Sequence, residues 1–360
     1  MLPLAADCCV IVMIVPTKTT MADIARLAGV STSAVSFALN GRQGVSESTR
    51  ERVLKIASDL GWFPNVAARA LSGAAVSAVG IVLTRPPRSL GVEPFYMSFL
   101  AGLETQLSEA GTSLLMHIVP TLDQEISTYR RWATERRIDG LVMLDLRVND
   151  PRPAVVSELG LPAVVVGDPR YAGGLPAIWT ADAEAIRIAV RRFAELGHRQ
   201  LARVTERSDM AHTHIRTQAF LEACAEMNLP TPYLVEADAT GGSGREQTLQ
   251  LLTQERRPTA IQFDNDVMAV AALSAVRDAG LSVPGDVSIL AYDDSMLCEI
   301  THPPLSALSH DVYTYGEHVG RLLQREIASP RSTSSELNST PILAERESTG
   351  SGPAFPHQVI

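Results

Sequence analysis

Two pairs of acids stand where chemistry could be done: "FDND", with Asp264, Asn265 and Asp266, and "AYDD", with Asp293 and Asp294. Each follows a short apolar run, so each falls just past the carboxyl end of a strand, where open α/β sheets receive ligands. Neighbouring carboxylates could bind a cation or act as acid and base. Equally, Asp266 could cap the helix that follows and Asp294 could hold a loop, and capping is the commoner use of such residues. Arg216, opening "RTQAFLEAC", carries a planar fork able to grip hydroxyls or a carboxylate, although an arginine there is usually a solvated charge. "GGSGR", from Gly241 to Arg245, has the glycines of a phosphate loop without its lysine, and a strand-to-helix turn accounts for it. "HTH", from His212 to His214, has no third metal ligand in view, and "LGH" ending at His198 reads as a helix C-cap. No nucleophile elbow or zinc signature is present. Cys8, Cys9, Cys224 and Cys298 show neither metal-ligand spacing nor a disulfide framework, which suits a reducing, cytoplasmic setting. No cofactor or metal is expected.

A different chemistry is written in "TMADIARLAGVSTSAVSFALN", residues 20–40. Two short amphipathic patterns flank Gly29, which supplies the left-handed residue of a tight turn. Ser31 caps the second pattern. That helix turns Thr32, Ser33, Ser36, Phe37 and Asn40 outward, whereas a merely solvated face would carry Glu and Lys. Short hydroxyl and amide groups suit close approach to phosphates and base edges. A three-helix bundle without DNA would use the same glycine turn, so the outward face is what favours DNA.

The elements that position these groups follow from periodicity. Ile24, Ala25 and Leu27, then Val35, Ala38 and Leu39, then Val53, Ile56, Ala57 and Leu60 form three apolar stripes, with Ser46 capping the third helix and Gly61 ending it. "PNVAARALSG" allows a short helix from Asn65 to Leu71, marginal unless something docks on it. From Ala78 onward about nine apolar runs alternate with helical segments, which implies parallel sheets in two lobes dividing near Asp182. "SPRSTSSELNST" reads as a loop and "PILAERES" as a late edge strand. Seven basic and five acidic residues up to Ser72 give the head +2, leaving −11 for the rest of a chain with formal charge −9. Only the head therefore invites a polyanion. The apolar opening "LPLAADCCVIVMIVP" lacks a basic flank and is too short to span a bilayer; it reads as a dispensable extension, with Met13 or Met21 as an alternative start.

The stretch from "TMADIARLAG" to "PNVAARALSG", followed by "PFYMSFLAGLE", "ELGHRQLARV", "RTQAFLEAC", "PTAIQFDNDVMAVAAL", "VPGDVSILAYDDS" and "HPPLSALSHDVYTYG", resembles the lactose-repressor/galactose-repressor family of transcription regulators. The resemblance implies an all-α helix-turn-helix head-piece with a hinge helix, then an α/β periplasmic-binding-protein-like core of two doubly wound lobes. It places a disordered extension at 1–18, the DNA-binding domain at 19–64, the hinge helix at 65–73 and the core at 74–348. The first lobe would span about 76–181 and 305–330, the second about 182–304 and 338–348, with a disordered tail at 349–360. It further implies a homodimer, most simply a repressor, on a roughly palindromic operator, controlled by a small molecule such as a sugar. Thr32, Ser33 and Phe37 would read bases, while Ser31, Ser36, Asn40, Ser46 and Thr49 would hold phosphates. Asn65, Ala68 and Leu71 belong to the hinge, with Leu71 as the minor-groove wedge. Phe37 stands where many relatives have Arg. In the core, Phe95, Tyr96, Thr180, Arg216, Asn265 and Asp293 would meet the effector, leaving Asp266 and Asp294 to structure. Asp264 replaces a small residue usual there and could reshape the pocket. A secreted solute-binding protein would need an export signal and no head-piece. An α/β enzyme would need turnover at Asp293 and Asp294.

Overall fold

The computed structural model describes residues 19–39, 43–62, 75–85, 93–329 and 334–352. They divide into two units, one ending at Ala74 and one beginning at Ala75.

In the first unit, α1 (Met21–Ala28) opens with a capping box. The Asp23 amide donates to Thr20 Oγ1 at 3.4 Å, and the Thr20 amide donates to Asp23 Oδ2 at 3.1 Å. Gly29, at φ +65°, ends the helix in the left-handed region. Ser31 and Ser46 start α2 (Thr32–Leu39) and α3 (Glu47–Asp59), accepting from the Ala34 and Thr49 amides at 3.1 and 3.3 Å. The three helices close on Ile24, Ala25, Ala28, Val35, Ala38, Val53 and Ala57. Leu27 and Leu60 were expected inside, but they are 56% and 39% exposed. Alanines at the helix contacts bring the backbones close, so one large residue per helix fills the space.

In the second unit the elements run β1 (Ala78–Thr84), α4 (Pro94–Glu109), β2 (Ser113–Val119), α5 (Leu122–Thr134), β3 (Gly140–Met143), α6 (Arg152–Leu159), β4 (Ala163–Val166) and β5 (Ala177–Thr180). Then come α7 (Asp182–Glu195), β6 (Leu201–Thr205), α8 (Ala211–Glu226), β7 (Tyr233–Glu236), α9 (Gly241–Leu252), β8 (Ala260–Phe263), α10 (Asp266–Asp278), β9 (Ser288–Tyr292), α11 (Met296–Ile300) and β10 (Ser306–Ser309). The chain returns through α12 (Val312–Ala328), β11 (Glu336–Ser339) and β12 (Ile342–Ala344). Two six-stranded sheets result, ordered β11-β5-β4-β3-β1-β2 and β12-β10-β9-β8-β6-β7. Pairing is parallel throughout except between β10 and β12. Helices cover both faces of each sheet, giving two apolar layers per lobe. Strand order reverses between β1 and β3 and again between β6 and β8. Connections diverge at such a point and leave a crevice at the carboxyl ends.

The return helix locks the first lobe. A Cβ on Gly316 of α12 would come within 2.1 Å of the Phe99 carbonyl oxygen of α4, and one on Gly102 within 1.9 Å of the Tyr313 carbonyl oxygen. Only glycines allow that contact.

The chain first crosses between the lobes at Ala181, between β5 and α7; the later crossings differ from those expected. β10 belongs to the second sheet, so the return to the first lobe falls at His310–Asp311 and not at 305. β11 belongs to the first sheet, so the final crossing lies between Ser339 and Ile342. "AIWT", "SALS" and "ELNS" add strands the apolar pattern did not announce, because short or polar segments at the outer side of a sheet carry no apolar run. The tail is also ordered further than expected. Thr349 Oγ1 lies 2.8 Å from Ser306 Oγ, the Gly350 amide donates to Ser288 Oγ at 3.0 Å, and the Gly352 amide donates to the Leu196 carbonyl at 2.8 Å. His198, more than a C-cap, is buried with Nδ1 2.9 Å from Thr259 Oγ1 and Nε2 3.0 Å from both Ser288 Oγ and the Gly350 carbonyl. Among the described residues no helix is long and apolar enough to cross a membrane. The extension 1–18 and the hinge 65–73 lie outside the described residues.

Candidate functional site

On the first unit, Ser31, Thr32 and Ser33 are exposed at the start of α2, and Ser36 is half-buried one turn on. No residue of α2 is charged, so its positive N-terminal dipole end stands unneutralised from within. Phe37 is only partly outward: at 37% exposure its ring lies against Gly44, where a Cβ would meet ring carbon Cδ2 at 3.0 Å. It therefore packs on Gly44 ahead of α3 as well as presenting an edge. Ser46 and Thr49 bring their hydroxyls within 2.8 Å of each other at the start of α3. Asn40, Asn65, Ala68 and Leu71 lie outside the described residues.

In the second unit a cavity of about 350 Å³ lies where the two crevices face each other. Arg85 follows β1 directly and Asp145 follows β3; Glu206 follows β6 and Asp264 follows β8. These are the four loops that diverge at the two reversals. Arg85 donates through Nε to Asp145 Oδ2 at 2.9 Å and through Nη1 to Glu93 Oε2 at 3.3 Å. Its Nη2 donates to Asp145 Oδ1 at 3.2 Å and to Glu206 Oε2 at 3.3 Å. One guanidinium thus joins the lobes. Asp145 also accepts from the Tyr96 hydroxyl at 3.0 Å. Burial works against its charge, but Arg85 overcomes that and holds the carboxyl below the usual range. Glu93 goes the other way: burial, aided by neighbouring carboxylates and only partly offset by Arg85, pushes it up to about 8. Its Oε1 has no partner.

A second cluster belongs to the second lobe. Arg216 lies over the Tyr292 ring with its guanidinium carbon 3.4 Å from the centroid. Its Nε is 3.3 Å from Asp182 Oδ2 without hydrogen-bond alignment, and its Nη1 donates to the Asp264 carbonyl at 3.5 Å. Asp182 accepts from Thr180 Oγ1 at 2.6 Å and from the Tyr292 hydroxyl at 2.5 Å. Beneath the floor, fully buried Arg203 donates to Asp264 and Gln262. Asp293, at φ +65°, sets its carboxylate 3.1 Å from His310 Nε2, and His310 Nδ1 has no partner.

Phe95, Tyr96, Thr180, Arg216, Asn265 and Asp293 all line this cavity. Two of them are committed elsewhere. The Tyr96 ring is covered by the Arg85 guanidinium, 5.0 Å from its centroid, so it is no open stacking surface. Asn265, expected to point into the cleft, caps α10: Oδ1 accepts from the Met268 amide at 2.8 Å and Nδ2 donates to the Ala239 carbonyl at 3.1 Å. Asp294 pairs with Arg346 at 2.7 Å, and Asp266 accepts from the Ser295 amide at 3.3 Å, with burial pushing it up to about 6. Asp264 is part of the floor cluster. Sequence reasoning missed Arg85, Glu93, Asp145, Trp179, Asp182, Glu206 and His310; a charged residue directly following an apolar strand was the available signal for Arg85 and Glu206. In "GGSGR" a Cβ on Gly244 would come within 2.7 Å of Met268 Cβ, so that glycine serves close packing of α9 on α10. His212 of "HTH" faces Glu206 at 3.9 Å, and among the described residues no group of three or more His, Cys, Asp or Glu could hold a metal.

A helix-turn-helix unit with an uncharged, hydroxyl-rich second helix, followed in one chain by a two-lobed core with a polar cavity, defines a ligand-responsive DNA-binding regulator. Residues 20–65 match "Bacterial regulatory proteins, lacI family", and residues 190–349 match "Periplasmic binding protein-like domain". HTH-type transcriptional regulator CelR of Thermobifida fusca is 32% identical over 85% of this chain and 91% of its own length. The ribose operon repressor of Escherichia coli K12 is 30% identical over 91% of this chain and 99% of its own. The structure of a transcriptional regulator CelR–cellobiose complex superimposes with a TM-score of 0.71 at 28% identity, covering 92% of this chain and 99% of that one. The chain belongs to the lacI family of bacterial regulatory proteins.

Proposed function

We propose that the protein is a cytoplasmic homodimeric repressor whose affinity for a roughly palindromic operator is set by a carbohydrate bound in the core cavity. Thr32, Ser33 and Phe37 read bases; Ser31, Ser36, Asn40, Ser46 and Thr49 hold phosphates; Asn65, Ala68 and Leu71 form the hinge, with Leu71 wedging the minor groove. Phe95, Thr180, Arg216 and Asp293 meet the effector, with Asn265 and Tyr96 supporting them. The observation that carries the effector reading is the cavity's position: both lobes supply its lining, so a bound molecule changes their relation. That change biases the hinge segments of the dimer. The cellobiose in the CelR complex supports the carbohydrate class. No catalytic role is assigned to the acids, because Asp293 is held by His310 and Asp294 by Arg346.

Selection from a random duplex pool should return a palindromic consensus bound by the full chain, with affinity falling steeply with salt. Cellobiose, ribose and related sugars should then shift that binding. No sequence preference would overturn the operator reading. Preference without a response to any sugar tested would overturn the carbohydrate reading.

A further inference from the structure

We infer that the cavity is selective for charge: it takes a saccharide that is uncharged or carries an amine, and rejects phosphorylated or carboxylated sugars. This rests on the carbohydrate reading above.

Among the described residues lining the cavity, nine are carboxylic acids and four are arginines. All four guanidiniums are engaged. Arg85 is shared among Asp145, Glu93 and Glu206. Arg216 lies between Asp182 and Asp264, at 3.3 and 3.6 Å. Arg170 pairs with Asp168 at 2.9 Å, and Arg187 with Glu222 at 3.0 Å. An entering phosphate or carboxylate would have to displace a carboxylate already in place. It would also meet surplus negative charge in a space where screening is weak. A hydroxyl meets neither obstacle.

The groups that are left over suit hydroxyls and amines. Glu93 Oε1 and His310 Nδ1 are buried atoms of lining residues without hydrogen-bond partners. The carboxyl and the imidazole can accept or donate as the partner requires. Buried polar atoms left unmatched are costly, so a ligand that supplies partners gains from each. The surplus of carboxylates extends the tolerance to an ammonium group.

The test uses the full chain at pH 7 and isothermal titration with charge series on common skeletons. The series are glucosamine, glucose, glucuronate and glucose 6-phosphate; cellobiose and cellobionate; ribose and ribose 5-phosphate. In the series that binds, the neutral sugar should bind about tenfold or more tighter than its anionic analogues, and an amine should cost nothing. An anionic member that binds as tightly as its neutral parent overturns the charge rule and leaves the carbohydrate reading standing. Failure of every member to bind overturns both. Glu206→Gln, which frees part of Arg85, should narrow the neutral-to-anionic gap. Asp182→Asn, nearly the same shape, frees part of Arg216 and should narrow it too. A gap unchanged in whichever of the two folds removes the assigned cause.

Discussion

At the strand reversal of the first lobe Arg85 reaches into the cavity and binds carboxylates of both lobes. At the equivalent reversal of the second lobe Arg203 lies wholly beneath the floor, bound to Asp264 and Gln262 of its own lobe. The two sheets have the same strand order, but Arg85 stands one residue past β1, whereas Arg203 lies within β6 and Glu206 takes the place after it. Place decides the partners, and partners decide the use. A guanidinium with partners in one lobe can only hold that lobe together, whereas one shared across the junction is disturbed whenever a ligand moves the lobes.

The largest expected effect tests the buried side of this contrast. Arg203→Met takes from the buried Asp264 the guanidinium that pairs with it, and should cost about 3–5 kcal/mol in urea unfolding. Adding Asp264→Leu should recover much of it. Arg85→Met should cost clearly less, because Glu93, Asp145 and Glu206 keep some access to water, and should instead alter sugar affinity. Equal losses would dissolve the distinction.

Arg216→Ala should weaken effector binding roughly ten- to a hundredfold, at about 1.4 kcal/mol per decade, and leave effector-free operator binding unchanged. Thr32→Ala should do the reverse. Truncation after Ser348 removes the partners that Gly350 gives His198 and Ser288, and should lower the core's stability by about 1–3 kcal/mol. Thermal melts of the truncated and full chains measure it. A tail without a structural role would leave the melt unchanged.

The smallest effect concerns Glu93. Burial raises its pKa from 4.5 to about 8, so the folded state prefers the protonated acid. The stability it contributes is complete below pH 4.5 and is lost as pH climbs through about 8. Melting temperature should therefore fall more steeply from pH 6 to 9 in the wild type than in Glu93→Gln.

These contrasts also explain what could be read from the sequence. The head unit was legible because its signals are local: Ser31 and Ser46 cap within three residues, and Gly29 turns within one. Phe37 was half legible, since its packing on Gly44 depends on a loop that no periodicity describes. In the core, Arg216 and Asp293 were found through the family resemblance, and Asp182 was missed although it lies two residues from Thr180. Arg85 and Glu206 are 121 residues apart, and only the paired reversals bring them together. β10 and β11 were missed for want of an apolar run, and with them the true crossing points between lobes.

Operator binding by the full chain, followed by fluorescence anisotropy with and without a saturating sugar that titration shows to bind the core, decides whether the cavity controls the head. A shift in operator Kd of about 5- to 150-fold is expected, the range of ordinary allosteric coupling. A sugar that fills the cavity and leaves operator Kd unchanged would contradict that control.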